Sequence, residues 1–389
     1  MLPAGNPFDY QRPVEPAVLI DREPELDALQ RAAADAVAIR LSAARRYGKT
    51  SLLAAHIGAM REVGHRAVRV DFGQVATVAD AAERVARSFA ALPGASRRTY
   101  DRLLSRLGIS VGVAGLTLSV SGRTATRDLD RARSILAELL DLPRLLHEAD
   151  GGLTVVCLDE FQDLLTADLA LDGLVRSVIQ HHGRAAAYVY AGSAPSLMRE
   201  LFTDRERPLF GQARPLELPP LPAAETVEDV LAISGAQGVA LDPDAVRRVV
   251  DVCVGHPQRT MLLAHHLFDI TAVGEPAADP AGACLERALY ETGDVHRTVW
   301  DSLPRSERAV MTALADGLAP TGSQTAEAHQ IPRGTLQKAL QRLVSAGQHV
   351  HVRDGHPALI DPLLGIWLAR RGAAAGPETE AALRGLGLG

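Results

Sequence analysis

The chain has 389 residues, of which 47% are hydrophobic and 23% are charged, a balance typical of globular proteins. This length predicts two or three domains. The formal net charge of −6 excludes a protein with a uniformly basic nucleic-acid-coating surface, although a local basic patch is compatible with it. The three cysteines lack metal-site spacing and are typical of small core residues in a reducing compartment. Because the sequence shows no charged-then-apolar leader and no apolar run of membrane length, we expect a cytoplasmic protein.

The first 20 residues are rich in proline and carry apolar side chains, among them Phe8 and Val14. They form either a surface arm or an apolar clasp for an adenine ring, since they come just before a phosphate-binding pattern. We take Phe8, Val14 and the nearby Arg22 as candidate nucleotide contacts. An amphipathic helix is predicted to follow, from Asp21 to about Ala34.

The segment from Ala36 to Leu53 has the pattern of a short strand, a tight loop and the first turn of a helix. In the pattern that ends in Gly48-Lys49-Thr50, loop amides cradle phosphates, the lysine contacts the β- and γ-phosphates and the threonine binds Mg²⁺. The following helix would direct its N-terminus at the same anion. Ala43 stands where the full pattern has glycine. The candidate phosphate contacts are Ala44, Arg45, Arg46, Tyr47, Gly48, Lys49, Thr50 and Ser51.

Lysine is nearly absent from the chain: of 41 basic residues, only Lys49 and Lys338 are lysines. Where arginine is the default, a lysine at the phosphate position indicates a chemical requirement, because a compact ammonium fits this pocket and a guanidinium fork does not. The only asparagine is Asn6, so the Asn-Lys-x-Asp motif that reads guanine cannot be formed. Adenine is therefore the expected base, and ATP with Mg²⁺ the expected ligand.

Short apolar segments alternate with helical patterns on either side of the loop, which predicts an α/β fold with a mostly parallel sheet. One continuous apolar run, Leu153 to Leu158, ends in Asp159 and Glu160, and acids at the carboxyl end of such a strand lie where α/β sheets bind ligands. Asp159 suits an outer-shell contact to Mg²⁺, and Glu160 suits polarising the attacking water. Ser193, after the next strand, is either a sensor of the γ-phosphate or a turn residue. The other predicted strands are Ala67 to Phe72, Ala187 to Ala191 and Pro215 to Leu218.

Two further segments are predicted between this core and the C-terminus. Residues 107–122 alternate with a period of two around Ala114-Gly115, which indicates a hairpin insertion that is either structural decoration or a contact for a partner or DNA. Residues 223–274 are helical in pattern and predict a small lid. Arg259 begins the last lid helix and either reaches a bound phosphate or is an ordinary surface charge. Residues 275–295 are expected to be a linker or helical connector.

Residues 296–372 predict a helix, a short helix, a third helix and a hairpin, the order of a winged helix-turn-helix. This window holds nine Arg and Lys against six Asp and Glu, so it is locally basic within an acidic chain. Winged-helix folds also bind proteins, so duplex DNA, a protein partner and a second copy of the chain are all candidate partners. The Ala/Gly-rich tail, residues 373–389, is expected to fray. The candidate DNA contacts are Arg333, Gln337, Lys338, Arg342 and Arg353.

Several short motifs together resemble the archaeal-type P-loop ATPases, a branch of the AAA+/STAND group related to origin-recognition initiators. They are NPF at 6–8, RPV at 12–14, LIDREPEL at 19–26, GKTSLL at 48–53, LDEFQDL at 158–164, GSAPSLM at 192–198, PLFG at 208–211 and IDPLLGIWLARR at 360–371. The resemblance covers most of the chain. It implies an ATPase core over residues 1–222, a helical lid and a winged helix, with Ser193 as first sensor and Arg259 as second.

Two positions depart from this family. Ala43 replaces the first glycine of the phosphate loop, and Gln212 replaces the arginine that commonly follows PLFG. That arginine serves as an inter-subunit finger in such ATPases, and the candidates to replace it here are Arg205, Arg207 and Arg214.

The sequence therefore predicts a protein that binds ATP, hydrolyses it slowly and uses it as a switch to redirect the winged helix. A second hypothesis is a nucleotide-gated regulator or scaffold with negligible hydrolysis, whose winged helix holds a protein partner. A third, a DNA-replication loader, requires ring assembly and is disfavoured by Gln212.

Overall fold

The computed structural model describes residues 5–14, 18–107, 111–112, 115–116, 125–274, 277–353 and 355–371. The chain divides into two compact units. The sheet unit comprises Glu23–Ala43 and Lys49–Leu218, and the helical unit comprises the described parts of residues 1–22, 44–48 and 219–389. No described helix is both long and apolar enough to cross a membrane.

The sheet unit is built on five parallel strands, which confirms the predicted α/β core. The strands of this unit are β1 (Ile39–Ser42), β2 (Arg66–Asp71), the short β3 (Val111–Gly112) and β4 (Gly115–Leu116), β5 (Thr154–Asp159), β6 (Ala186–Gly192) and β7 (Arg214–Glu217). The parallel sheet has the order β2-β5-β6-β1-β7. Every residue of β5 and β6 is buried, as expected for central strands covered on both faces.

Helices connect the strands of this sheet, and a proline lies near the start of one of them. The helices are α1 (Glu23–Ala34), α2 (Lys49–Glu62), α3 (Val78–Ala90), α4 (Gly94–Leu107), α5 (Ala125–Leu140), α6 (Leu142–Asp150), α7 (Leu164–Ala167), α8 (Leu171–Ile179) and α9 (Pro195–Thr203). The sequence from about Leu129 to His147 has the pattern of one helix, but in the structure it belongs to two, α5 and α6. Pro143 lies in the first turn of α6, where its missing N–H and fixed ring prevent a helix from continuing through it. The sequence analysis did not predict α4.

The predicted hairpin insertion is only partly within the described residues. There β3 and β4 pair antiparallel, with Val111 opposite Leu116 and Gly112 opposite Gly115. The remaining positions of the predicted hairpin, 108–110, 113–114 and 117–122, lie outside the described part of the chain.

One hydrophobic core joins the sheet to the helices that follow β2 and precede β5. It includes Phe89 of α3, Leu136 of α5, Leu158 of β5 and Tyr190 of β6, all nearly or fully buried. Burying one such large side chain contributes about 1.5–3 kcal/mol. This core fixes the carboxyl ends of β5 and β6, near which the predicted site residues Asp159, Glu160 and Ser193 lie.

The first part of the helical unit contains α10 (Ala223–Ala236), α11 (Pro243–Cys253), α12 (Pro257–Val273) and α13 (Pro280–Ser302). The segment around Phe8 belongs to this unit rather than to the sheet. Phe8 is fully buried, with its ring edge-on to Phe268 at 6.1 Å between centroids. The Asn6 amide donates to the His265 carbonyl at 3.0 Å. The boundary expected between residues 295 and 296 falls inside α13, a continuous helix of 23 residues.

The C-terminal elements are α14 (Arg305–Ala315), α15 (Ser323–His329), α16 (Arg333–Ala346), β8 (Val350–Arg353), β9 (His356–Leu359) and α17 (Pro362–Arg371). They follow in the predicted order, and β8 pairs antiparallel with β9. Leu336, Ala339 and Leu343 bury one face of α16 in a core shared with α14 and α17. Asp354 of the predicted turn and the predicted tail, 373–389, lie outside the described residues.

Candidate functional site

Five predicted site residues meet at the carboxyl edge of the parallel sheet. Lys49 and Thr50 begin α2, the first helix after β1. Asp159 is the last residue of β5, Glu160 follows it, and Ser193 comes directly after β6. Because β6 lies between β1 and β5 and all three run parallel, the residues that follow them converge.

Lys49 is the centre of this group. Its side chain is buried, and its ammonium lies 3.0 Å from Asp159 Oδ1 and 2.6 Å from Glu160 Oε1. A buried ammonium needs compensating charge, and two carboxylates supply it here. The predicted phosphate-binding lysine is therefore held in place by the two predicted acids.

The Asp159 carboxylate is almost completely buried, with its side chain only 1% exposed, and both of its oxygens accept from donors of the protein. Oδ1 accepts the Glu160 N–H at 3.0 Å in addition to the Lys49 contact. Oδ2 accepts the Thr50 hydroxyl at 3.3 Å and Arg69 Nε at 3.0 Å. Four donors therefore hold this carboxylate in one orientation.

The pair Thr50 and Asp159 suits Mg²⁺, since hydroxyl and carboxylate oxygens are the hard ligands that this ion takes. Within the described residues, no group of three or more His, Cys, Asp or Glu side chains could hold a metal ion alone. Mg²⁺ commonly binds through one or two protein groups together with substrate phosphates. The site therefore fits a metal that arrives with a nucleotide.

Glu160 is held on both carboxylate oxygens. Oε1 accepts Lys49, while Oε2 accepts the Ser193 hydroxyl at 2.7 Å, the Ser193 N–H at 3.0 Å and Gln162 Nε2 at 2.7 Å. Burial alone would raise the pKa of Glu160, but the Lys49 charge and these hydrogen bonds outweigh it and lower the pKa to about 2. Its φ of 49° lies in the left-handed region, which is uncommon outside glycine and is found often at functional sites.

The end of β6 lies close to the side chain of Gln162, and Gly192 makes this possible because it has no side chain. A Cβ atom at position 192 would lie 2.4 Å from Gln162 Oε1 and 2.5 Å from Met198 Cγ. Any larger residue would displace Gln162, and with it one of the donors that hold Glu160.

Two residues of this cluster were missed by the sequence analysis, Arg69 of β2 and Gln162. Arg69 donates to Asp159 and also to Asp71, with a 2.9 Å distance between its Nη2 and Asp71 Oδ2. The available signal was an arginine and an aspartate that alternate with valines in the strand pattern VRVD. Gln162 lies inside the LDEFQDL motif, two residues after the predicted site residue Glu160.

The phosphate-loop residues before Lys49 group with the helical unit. Arg46 and Gly48 have positive φ values, 67° and 83°, so this backbone turns sharply. Tyr47 is buried, and its ring packs edge-on against His256 at 5.1 Å and His351 at 6.5 Å between centroids. Ala44 is also buried, whereas Arg45 and Arg46 are exposed; Ser51, in the first turn of α2, is buried in the sheet unit.

Arg259, the predicted second sensor, is buried within the helical unit and paired with a carboxylate there. Its guanidinium binds both oxygens of Asp361, with Nε 2.8 Å from Oδ1. His296 Nε2 lies 3.3 Å from Asp361 Oδ2. Burial alone would raise the pKa of Asp361, but the hydrogen bonds from His296 and Arg259 and the Arg259 charge hold it far below its ordinary value. Its contact with phosphate stays a prediction.

The three candidate adenine contacts, Phe8, Val14 and Arg22, also belong to the helical unit. Phe8 is fully buried in its core, and Val14 packs partly buried against the same core. Arg22 is buried, and its guanidinium donates to the Pro219 carbonyl at 2.9 Å. These side chains have structural roles, and contact with adenine stays a prediction.

The candidate DNA contacts on α16 lie on the face opposite its buried stripe. Arg333, Gln337, Lys338 and Arg342 are exposed, as is Arg353 in β8. Arg333 Nε donates to the Thr321 carbonyl at 2.9 Å, and Arg342 Nε lies 3.2 Å from Glu307 Oε1. An open groove of about 590 Å³ lies along this face, lined by Thr321, Arg333, Gln337, Leu340 and Gln341.

The chain is similar in structure to two solved proteins over most of its length. A Walker-type ATPase of Pyrococcus abyssi, PABY2304, superposes with a TM-score of 0.65 at 19% identity, over 93% of this chain and 99% of that one. The Aeropyrum pernix ORC2 protein in its ADPNP-ADP complexes superposes with a TM-score of 0.58 at 16% identity, over 98% of each chain. Its ADP form gives 0.55 at 15% identity, over 94% and 98%.

No family model and no curated protein sequence matches the chain. At such low identities, the structural likeness establishes the fold alone. The chain therefore shares the fold of these two solved proteins, with helices packed on a five-stranded parallel sheet.

Proposed function

We propose that the protein binds ATP with Mg²⁺ at the carboxyl edge of the sheet, hydrolyses it slowly and uses it as a switch for its C-terminal elements. The observation that carries this proposal is the position of Lys49, within hydrogen-bonding distance of both Asp159 and Glu160 at the start of α2. The fold shared with a Walker-type ATPase and with ORC2, whose structures are described as ADPNP-ADP and ADP forms, supports an adenine nucleotide.

Each residue of the group has a distinct role in this proposal. Lys49 would exchange its carboxylate partners for the β- and γ-phosphates, while Thr50 and Asp159 would hold Mg²⁺. The ion would supply positive charge that neutralises the phosphate oxygens. Glu160 is ionised at neutral pH, as a residue that orients water must be. When Lys49 turns to the phosphates, Glu160 loses the charge that lowers its pKa most and becomes a stronger base.

Nucleotide binding and phosphate release test these roles separately. Lys49→Met should weaken Mg²⁺-ATP binding at least about tenfold, because the variant loses a charge-assisted contact with phosphate. Glu160→Gln should retain ATP and lose about 10²- to 10⁴-fold in turnover. Lys49→Arg is the matched control for charge, and we expect it to resemble Lys49→Met if the pocket requires the smaller ammonium. Wild-type protein without affinity for Mg²⁺-ATP at millimolar concentration contradicts the proposal, and unchanged phosphate release in Glu160→Gln removes the role of Glu160.

We further propose that α14, α15, α16 and the β8–β9 hairpin act as a winged helix that binds duplex DNA. The order of these elements supports it, as do the exposed cations on α16 and the groove beside them. Changing Arg333, Lys338 and Arg342 together to Ala should weaken DNA binding and reduce the salt slope by up to about three. The charge-matched control removes three exposed arginines from other helices, Arg31, Arg87 and Arg247. If both triple variants bind DNA equally, α16 is not the contact.

A second candidate function is a nucleotide-gated regulator with negligible hydrolysis, whose winged helix holds a protein. The observation that favours it is that both Glu160 oxygens are already occupied, by Lys49, Ser193 and Gln162. A steady-state ATPase assay with and without duplex DNA separates the two functions. Turnover that DNA increases supports the first, and tight nucleotide binding without turnover or DNA dependence supports the second.

A further inference from the structure

Arg69 is a cation at the candidate site that no sequence motif accounts for. It extends from β2, where Asp71 lies two residues further along the strand and pairs in register with Asp159 of β5. Residues two apart on a strand share a face, so Arg69, Asp71 and Asp159 all project to the same side of the sheet. Arg69 bridges the two acids, at 3.0 Å from Asp159 Oδ2 and 2.9 Å from Asp71 Oδ2.

The two oxygens of Asp159 have different surroundings. Oδ1 accepts from Lys49 and from the Glu160 N–H, on the side where the phosphates are proposed to bind. Oδ2 accepts from Thr50 and from Arg69. Arg69 therefore contacts the same oxygen as Thr50, the other residue proposed to hold Mg²⁺.

We propose that Arg69 competes with Mg²⁺ for Asp159 and thereby sets the metal dependence of nucleotide binding. This inference rests on the proposed nucleotide site. The Arg69 guanidinium is always charged, so it opposes a second cation at the same carboxylate oxygen. Because Asp159 is almost completely buried, that opposition is screened less than it would be at an exposed site.

Asp71 gives Arg69 an alternative partner. The Asp71 side chain is 54% exposed, whereas that of Asp159 is 1% exposed. Arg69 can therefore keep its charge paired with Asp71 while it releases Asp159 to the metal. When the nucleotide binds, the metal ion replaces Arg69 at Asp159. Because Arg69 contacts Asp159 until then, this buried carboxylate has a positive partner in the nucleotide-free protein as well.

The test is the affinity of the metal for the nucleotide-bound protein, measured with Mn²⁺ as a Mg²⁺ substitute. Titration of the complex with AMP-PNP, followed by electron paramagnetic resonance of free Mn²⁺, gives this affinity without any turnover. Arg69→Gln should lower the Mn²⁺ dissociation constant at least about tenfold. Water-like screening already gives this much repulsion between one positive charge and a divalent ion about 6 Å apart, and burial weakens the screening. An unchanged dissociation constant overturns the proposal.

Arg69→Lys separates charge from hydrogen-bond geometry. It keeps the positive charge but lacks the guanidinium fork, so its Mn²⁺ dissociation constant should stay within about twofold of wild type. If Lys and Gln variants shift alike, the effect is structural and charge competition is wrong. Asp71→Asn should shift the constant in the opposite direction, about threefold weaker, because Arg69 then has only Asp159 as a charged partner.

Two controls keep this result distinct from the proposed function. Arg87→Gln removes an arginine of α3 that is 72% exposed and pairs with Glu83, and it should leave the Mn²⁺ affinity unchanged. AMP-PNP affinity measured in EDTA reports nucleotide binding without metal. Wild-type protein that binds no AMP-PNP under any condition contradicts both proposals, whereas normal binding with an unshifted Arg69→Gln variant contradicts only the role of Arg69.

Discussion

Two cation–carboxylate clusters, one in each unit, use the same chemistry to different effect. In the sheet unit, Lys49 is shared between Asp159 and Glu160, and Arg69, Thr50, Ser193 and Gln162 provide further donors. In the helical unit, Arg259 and His296 converge on the single carboxylate of Asp361. The first cluster has several donors and two carboxylates, and the second has one carboxylate that both Arg259 and His296 contact.

This difference suits the first cluster to an exchange of partners and the second to linking two parts of the chain. In the sheet unit, a phosphate that takes Lys49 leaves Asp159 with Arg69, Thr50 and the Glu160 N–H. In the helical unit, Arg259 is 3% exposed and its guanidinium binds both oxygens of Asp361, which connects α12 to the residue just before α17. Loss of one partner should therefore be tolerated in the first cluster and costly in the second, because an unpaired buried charge costs several kcal/mol.

The largest effect is expected from Asp361→Ala. It leaves the buried Arg259 guanidinium without a carboxylate, and the free energy of unfolding of the helical unit should fall by about 3 kcal/mol or more. Urea unfolding followed by tryptophan fluorescence measures it, since the only two tryptophans, Trp300 and Trp367, both belong to this unit.

Asp361→Asn is the matched control for shape. It keeps an acceptor for Arg259 but loses the charge, so its free energy of unfolding should lie between those of the wild type and Asp361→Ala. A loss below about 1 kcal/mol in Asp361→Ala would show that Arg259 does not depend on this carboxylate, and the contrast between the clusters would fail.

A smaller effect is expected from Lys49→Met in the nucleotide-free protein. Asp159 keeps three of its four donors, so the sheet unit should lose only about 1–2 kcal/mol. Hydrogen exchange of the β5 amides, Thr154–Asp159, measures this locally, where tryptophan fluorescence cannot. A loss as large as that of Asp361→Ala would mean that the two clusters are equally rigid.

The first cluster was largely predictable from sequence because its parts lie next to one another in short motifs. Lys49 and Thr50 are neighbours, as are Asp159 and Glu160, and each pair follows a recognisable apolar strand. The rule that parallel strands carry ligand-binding residues at their carboxyl ends then brings the pairs together. No comparable rule exists for Arg69, whose partner is defined only by the pairing of β2 with β5.

The second cluster was not predictable, although both Arg259 and the motif that contains Asp361 were singled out. The two residues are 102 positions apart, and no strand order or helix period relates them. The same holds for the packing of Phe8 against Phe268 of α12, 260 positions away, while its contact with adenine stays a prediction. The bounds of α1, by contrast, were predicted to within two residues, as Asp21 to about Ala34 against Glu23–Ala34 in the structure.

The smallest effect concerns pH and compares one buried histidine from each unit. His56 of α2 is fully buried, and neither ring nitrogen has a hydrogen-bond partner among the described residues. Burial lowers the pKa of His56 from 6.5 to about 4, and burial likewise lowers that of His256 to about 4. Each histidine therefore binds its proton more tightly in the unfolded chain than in the folded protein. Its contribution to the free energy of unfolding is complete above pH 6.5 and is lost as the pH falls towards 4.

His56→Leu should therefore make unfolding of the sheet unit less sensitive to pH between 6.5 and 4, and change stability at pH 7.5 by less than about 1 kcal/mol, because the ring makes no hydrogen bond that would be lost. His256→Leu should reduce the pH dependence of the helical unit similarly but lower its stability at pH 7.5 by about 1 kcal/mol, since His256 Nδ1 accepts the Arg259 N–H at the start of α12.

Hydrogen exchange at pH 7.5 and pH 5 compares both units in one sample. An unchanged pH dependence in His56→Leu would mean that the pKa of His56 is the same in the folded and unfolded states. Equal losses for both variants at pH 7.5 would mean that the His256 cap contributes nothing beyond packing.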